Sequence, residues 1–256
     1  MNTSIDSGIL ELAIQGRLSA ISCMSKGASF LRDAPSIAAL PVERGLHLNL
    51  TEVQPNTRFF QPLPSLIINC SLRRVNADLI KIEIEEQCDN FEMTFHQAPH
   101  FVDGHQHVHQ LPVVRDVLLK VLKRRYGTDL LWIRSTCVPK PMRPSRDWAK
   151  AKLIEALGGR SLLHQCGMAG FKTNHHLLGV FDFARDNRRY LAQLDTWIGL
   201  ASPGDVIMCH PSSGADASDP LGRQREIEFA AMSDPSFKTL LAKHNAFVAI
   251  STSAET

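Results

Sequence analysis

Four of the eleven histidines in this chain fall within fourteen residues, Pro-His-Phe-Val-Asp-Gly-His-Gln-His-Val-His-Gln-Leu-Pro at 99–112. Imidazole changes charge close to neutral pH and is the commonest protein ligand for a divalent metal. If the segment runs extended, Asp103, His105, His107 and His109 point to one face, because side chains alternate along a strand. At a rise of about 3.3 Å per residue, Asp103 and His109 then stand about 20 Å apart and cannot share one ion. One or two of these residues are candidate ligands, and the rest orient them, contact substrate or pack. The competing reading is a polar turn that happens to be rich in histidine.

Two further histidines belong to apolar-rich runs, one within an alternating run and one at the end of a continuous one. Gly-Leu-His-Leu-Asn-Leu-Thr-Glu at 45–52 alternates, with Leu46, Leu48 and Leu50 on one side and His47, Asn49 and Thr51 on the other. A polar row facing the inside of a strand end is costly unless it is used or fully hydrogen-bonded. A half-exposed antiparallel strand is the alternative. Asp-Val-Ile-Met-Cys-His-Pro at 205–211 reads as a buried strand ending at His210. Two neutral imidazoles from separate strands, with a carboxylate and water, form an open catalytic site for a divalent ion, and such donors favour Zn²⁺. The ion polarises a carbonyl and acidifies water. His47 bonded to core backbone and His210 capping a strand end are the plainer readings. Nucleophilic catalysis has less support: Ser212 and Ser213 lack a Gly-x-Ser-x-Gly elbow, and Cys209 sits in an apolar strand. No carboxylate pair stands out for glycoside hydrolysis.

The elements that must position these residues follow from periodicity. Helical spacing predicts helices over 3–18, 29–40 (interrupted by Pro35), 77–95, 112–126, 148–157, 161–168, 187–200, 223–232 and 234–244. Extended segments are expected at 20–24, 45–52, 130–134, 171–174, 177–181, 205–211 and 246–250. Residues 54–74 read as a long loop, and Pro139, Pro141 and Pro144 mark another. Alternating strands and helices give an α/β class with a parallel sheet or barrel, in which the C-terminal strand ends meet at one mouth. His47, His105 and His210 would converge there. Opening on a helix is unusual for such a fold and leads us to expect an element missing ahead of it.

At 256 residues a single domain over 1–256 suffices. Twenty-eight basic against 26 acidic residues, a net +2, leave no electrostatic footprint for nucleic acid or an anionic membrane, so a small-molecule or oligosaccharide partner is expected. Six cysteines without a Cys-x-x-Cys pair, no run of eighteen apolar residues and no export signal point to a reduced, cytoplasmic protein without a membrane span.

Taken together and in order, Gly-Leu-His-Leu-Asn-Leu-Thr (45–51), Asp-Gly-His-Gln-His-Val-His (103–109), Ile-Arg-Ser (133–135) and Cys-His-Pro (209–211) resemble the YdjC-like family of carbohydrate deacetylases. That family includes chitooligosaccharide deacetylases and the hopanoid-biosynthesis-associated HpnK branch. The resemblance implies an irregular (β/α) barrel of the polysaccharide-deacetylase type and a divalent ion, Mg²⁺ or Zn²⁺, held by an Asp and two His. The two histidines map onto His47 and His105, and His210 matches a late histidine for which a general-acid or substrate-contact role is expected. Asp103, His107, His109, Asn49 and Arg134 are the expected supporting or substrate-binding residues. Family members open with a strand ending in Ala-Asp-Asp-Phe-Gly or Ala-Asp-Asp-Tyr-Gly, whereas Met1 stands where that motif finishes, so the first strand and its Asp pair are expected to be missing. Asp6 is a poor substitute, being a helix-start residue. The implied activity is removal of an acetyl group from an N-acetylated amino sugar or glycoconjugate, impaired by loss of that Asp. A non-catalytic carbohydrate-binding or assembly protein on the same fold is the alternative. Exposed sheet edges would favour a homodimer.

Overall fold

The computed structural model describes residues 3–139, 145–182, 186–216 and 219–249. Helix α1 (Thr3–Ile14) leads through β1 (Ala20–Cys23) and α2 (Phe30–Ala38) to β2 (Glu43–Leu48), after which α3 (Leu63–Ser71) and α4 (Ala77–Phe95) precede β3 (Phe101–Gly104). Then come α5 (Val114–Tyr126), β4 (Trp132–Ile133), α6 (Arg146–Ile154), α7 (Arg160–Ala169), β5 (Lys172–Thr173) and β6 (Leu177–Leu178). The chain finishes with α8 (Asn187–Leu200), β7 (Val206–Ile207), α9 (Gly222–Ser233) and α10 (Pro235–Lys243). Strands β1 to β5 pair in chain order and always in parallel, while β6 and β7 form a second parallel pair. Sequential parallel strands joined by helices are the barrel-like α/β arrangement that the sequence predicts. Among the described strands, pairing is interrupted between β5 and β6 and between β7 and β1.

Alternation in β2 does what its pattern requires: Leu46, Leu48 and Leu50 are fully buried. They meet Ile80, Ile84, Cys88 and Phe91 of α4, spaced to line one stripe of that helix. Phe30, Phe91 and Phe95 interlock beside them, with ring centroids 4.8–6.4 Å apart. A second core of Leu12, Phe181, Tyr190, Trp197 and Phe237 ties α1 to α8, α9 and α10. Each such side chain contributes about 1.5–3 kcal/mol by leaving water. Together the two cores fix the framework that carries the site.

Four expectations from sequence require correction, the first being the interruption at Pro35, which lies inside a continuous α2. Residues 54–74 are not a continuous loop, because α3 forms with Pro64 in its first turn and Leu66 and Cys70, one turn apart, are buried. Residues 246–249 form no strand: the Ala246 amide donates to the Leu241 carbonyl at 2.8 Å to close α10, and Phe247 is 80% exposed. Ile250, Pro141 and Pro144 lie outside the described residues. The histidine segment is extended only as far as Gly104. Residues His105–Gln110 then make a tight 3-10 turn in which Gln106 (φ 51°) and His107 (φ 62°) are left-handed. Tertiary contact imposes this shape. A Cβ on Gly104 would lie 2.8 Å from the His109 backbone nitrogen, so glycine lets the turn fold directly onto the strand end.

All six cysteines are free. Among the described residues no helix is long and apolar enough to cross a membrane.

Candidate functional site

Successive strands deliver one polar side chain each to the same sheet end. Ser22 comes from β1, His47 from β2, Asp103 from β3, and Arg134 follows β4 directly. The parallel register sets His47 opposite Asp103. The Asp103 Oδ1 atom accepts from the Ser22 hydroxyl at 2.5 Å and lies 2.6 Å from His47 Nδ1. Its Oδ2 pairs with Arg134 Nη1 at 2.9 Å, both side chains being almost completely buried. Arg134 Nη2 also donates to the Gly104 carbonyl at 3.0 Å and lies 3.4 Å from His107 Nδ1.

Electrostatics assign the protonation states. Burial works against a charge on Asp103, but the Arg134 guanidinium, then His47 and Ser22, outweigh it and hold the carboxyl far below the usual range. For His47, burial prevails over the pull of Asp103 and favours neutral imidazole. A neutral ring facing an ionised carboxylate donates Nδ1–H to it, which leaves the Nε2 lone pair for a ligand.

His105 stands at the mouth, its ring centroid 5.6 Å from that of His47 and at 73° to it. Glu52 Oε1 is 3.0 Å from His105 Nε2, and His105 is the leading influence holding the Glu52 carboxyl below its usual range. Despite the short distance, the buried Nε2 atom makes no well-directed hydrogen bond. Asn49 explains why Glu52 is there. Its Oδ1 accepts from the amides of Thr51 and Glu52, and its Nδ2 donates to the Glu52 carbonyl at 2.8 Å. This side chain therefore shapes the turn behind Glu52.

His109 supports the site from behind. It is fully buried and donates Nε2–H to the Arg134 carbonyl at 2.8 Å, tying the turn to the end of β4. Burial, reinforced by Arg134, pushes its pKa down to about 4. Because the folded value lies below the unfolded one, the unfolded chain takes up the proton first as the solution is acidified. Stability is complete above about pH 6.5 and is lost as pH falls towards 4, by ~3 kcal/mol for this group. Urea denaturation at pH 7 and pH 4 is expected to reveal that loss, with a shallower pH slope in His109→Gln.

His210 enters from the far side, beyond β7. His47, Arg134 and His105 all act on it electrostatically. Burial, followed by Arg225, brings it down to about 3, so it rests as a neutral imidazole. The α1 backbone abuts this segment, for Ser213 donates its amide to the Ser4 carbonyl at 3.0 Å and a Cβ on Gly8 would lie 2.5 Å from Ser213 N.

The structure thus gathers His47, Asp103, His105, His107 and Arg134, and brings His210 within electrostatic range. His109 and Asn49 hold backbone. Sequence reasoning missed Ser22, Glu52 and the Glu228 carboxylate behind His210. Ser22 is hidden in a short apolar strand, while Glu52 closes the alternating run of His47 and could have been weighed with it.

The His47 imidazole, fixed by a carboxylate, and the His105 imidazole, whose buried Nε2 makes no well-directed hydrogen bond, fit two ligand positions of a divalent ion. Among the described residues, no cluster of three His, Cys, Asp or Glu side chains is placed to hold an ion.

A family model described as YdjC-like protein matches residues 1–243. A carbohydrate deacetylase of Homo sapiens is 27% identical over 225 residues, covering 82% of this chain and 63% of that protein. A carbohydrate deacetylase of Mus musculus is 28% identical over 135 residues, covering 48% and 43%. The chain therefore spans less than two thirds of the length of either relative. Among solved structures, a provisionally described cellobiose-phosphate cleavage protein from Enterococcus faecalis V583 superposes with a TM-score of 0.69 at 19% identity, over 97% of this chain and 92% of that one. At that identity the likeness is one of fold.

Proposed function

This chain belongs to the YdjC-like family, and on that premise we propose that it is a carbohydrate deacetylase. It hydrolyses the N-acetyl amide of an amino sugar or glycoconjugate with a divalent ion, Zn²⁺ or Mg²⁺, held through His47 and His105. The observation that carries this reading is the neutral, Asp103-buttressed His47 standing 5.6 Å from His105 at the strand ends. The deacetylase relatives support the substrate class.

When bound, such an ion polarises the amide carbonyl and acidifies water. The chain's own residues do the rest. Arg134 keeps Asp103 ionised, and Asp103 keeps the His47 ring turned with Nε2 outward. As water adds to the carbonyl carbon, His210, neutral at rest, takes a proton and returns it to the departing nitrogen as the C–N bond breaks. The products are acetate and the free amino sugar.

The test incubates the protein with N-acetylated chitooligosaccharides and a simple N-acetylglucosamine conjugate, with added Zn²⁺ or Mg²⁺ and with a chelator, and measures acetate. Metal-dependent release is expected. Saturable sugar binding by calorimetry without acetate would favour a non-catalytic carbohydrate-binding protein, and neither binding nor release would overturn both readings.

A further inference from the structure

Helix α9 sets a carboxylate directly behind His210. Glu228 is fully buried; its Oε2 accepts the His210 backbone N–H at 2.6 Å and the Tyr190 hydroxyl at 3.2 Å. Its other oxygen, Oε1, accepts no hydrogen bond and stands 4.0 Å from His210 Nδ1. A buried carboxylate oxygen without a donor is expensive. The main chain of His210 is already anchored to the same carboxylate, so a modest turn of the ring closes the remaining gap. From this geometry we propose that Glu228 is the positioning residue for His210, holding the imidazole with Nδ1–H towards the carboxylate and Nε2 towards the substrate.

The inference rests on the proton-transfer role given to His210 above and explains how that role is met. A ring that shuttles a proton must present one defined nitrogen, and the bond made by the other nitrogen decides which. It must also tolerate a transient positive charge in a buried place, which a carboxylate at this distance offsets. Arg225 does neither, since it donates to the His210 carbonyl at 3.4 Å and its charge is paired with Asp219 at 2.6 Å. Tyr190 reaches only the Oε2 side. Burial is the leading cause that raises Glu228 to about 7 and lowers His210 to about 3, so the His210 ring rests neutral beside Glu228.

Glu228→Gln tests the assignment. The amide keeps the shape and can accept the His210 N–H through its oxygen, but it then aims an NH₂ donor at Nδ1 and drives the ring proton to Nε2. Acetate release is expected to fall about a hundredfold in kcat, with KM changed by no more than about twofold. Ring ¹⁵N NMR of His210 is expected to move from the Nδ1–H to the Nε2–H pattern. Glu228→Asp, which retains the charge, should keep the native tautomer and an intermediate kcat. An unchanged tautomer and kcat in folded Glu228→Gln overturns the proposal. An Nε2–H tautomer in the unsubstituted protein does so without any variant. If His210→Ala keeps full kcat, the role of His210 fails instead, and the tautomer still reports whether Glu228 orients the ring.

Discussion

Arg134→Met is expected to destabilise the fold by about 3–5 kcal/mol, because it leaves the Asp103 carboxylate buried without its cation. Asp103 would retain only Ser22 and His47 on Oδ1, and Oδ2 would face an apolar chain. The Gly104 carbonyl would lose its donor as well. A buried pair owes little net stability to its own attraction, since desolvation consumes most of the gain; the damage comes from breaking one side only. Arg134→Met combined with Asp103→Asn is therefore expected to recover part of the loss, as a double-mutant cycle in urea would measure. A single-variant loss below about 1 kcal/mol would show that Asp103 finds another partner or takes up a proton at little cost.

The other large effect is chemical. His105→Ala is expected to abolish metal-dependent acetate release, a fall on the order of a thousandfold or more, and to weaken Zn²⁺ binding in calorimetry. His47→Ala should behave alike, since the two imidazoles supply the nitrogen donors of the proposed site. Asp103→Asn leaves both ligands in place but offers the His47 ring an amide, so the tautomer is no longer enforced. Its expected cost is smaller, about 10–100-fold in metal affinity. The ordering of these variants is the informative result. If Asp103→Asn binds Zn²⁺ as tightly as the native chain, the Asp103–His47 contact is structural only.

Both results depend on residues that differ in how far sequence exposes them. The alternation of Leu46, Leu48 and Leu50 against His47 is a local period, so strand, buried face and candidate ligand could be read together. The helical period of 77–95 was equally plain, although it hides Glu83 rather than exposing it and leaves Leu79 exposed, and the four ordered motifs were enough to indicate the family. The same local reasoning failed one residue beyond Gly104. Nothing in the order His-Gln-His-Val-His specifies left-handed backbone at Gln106 and His107. That turn is held by His109 bonding to the Arg134 carbonyl, a contact spanning 25 positions.

What the sequence by itself determined was the α/β alternation, the buried faces of its strands and helices, and the histidines that could do chemistry. Those depend on periods of two and about 3.6 residues, which neighbouring side chains display directly. Only the tertiary structure decided which polar groups stand together: Ser22 and Arg134 on Asp103, Glu52 at His105, and Glu228 behind His210. Strand register and helix docking bring those partners together from distant parts of the chain. The state of each imidazole depends on the buried charge it meets there rather than on its neighbours in sequence.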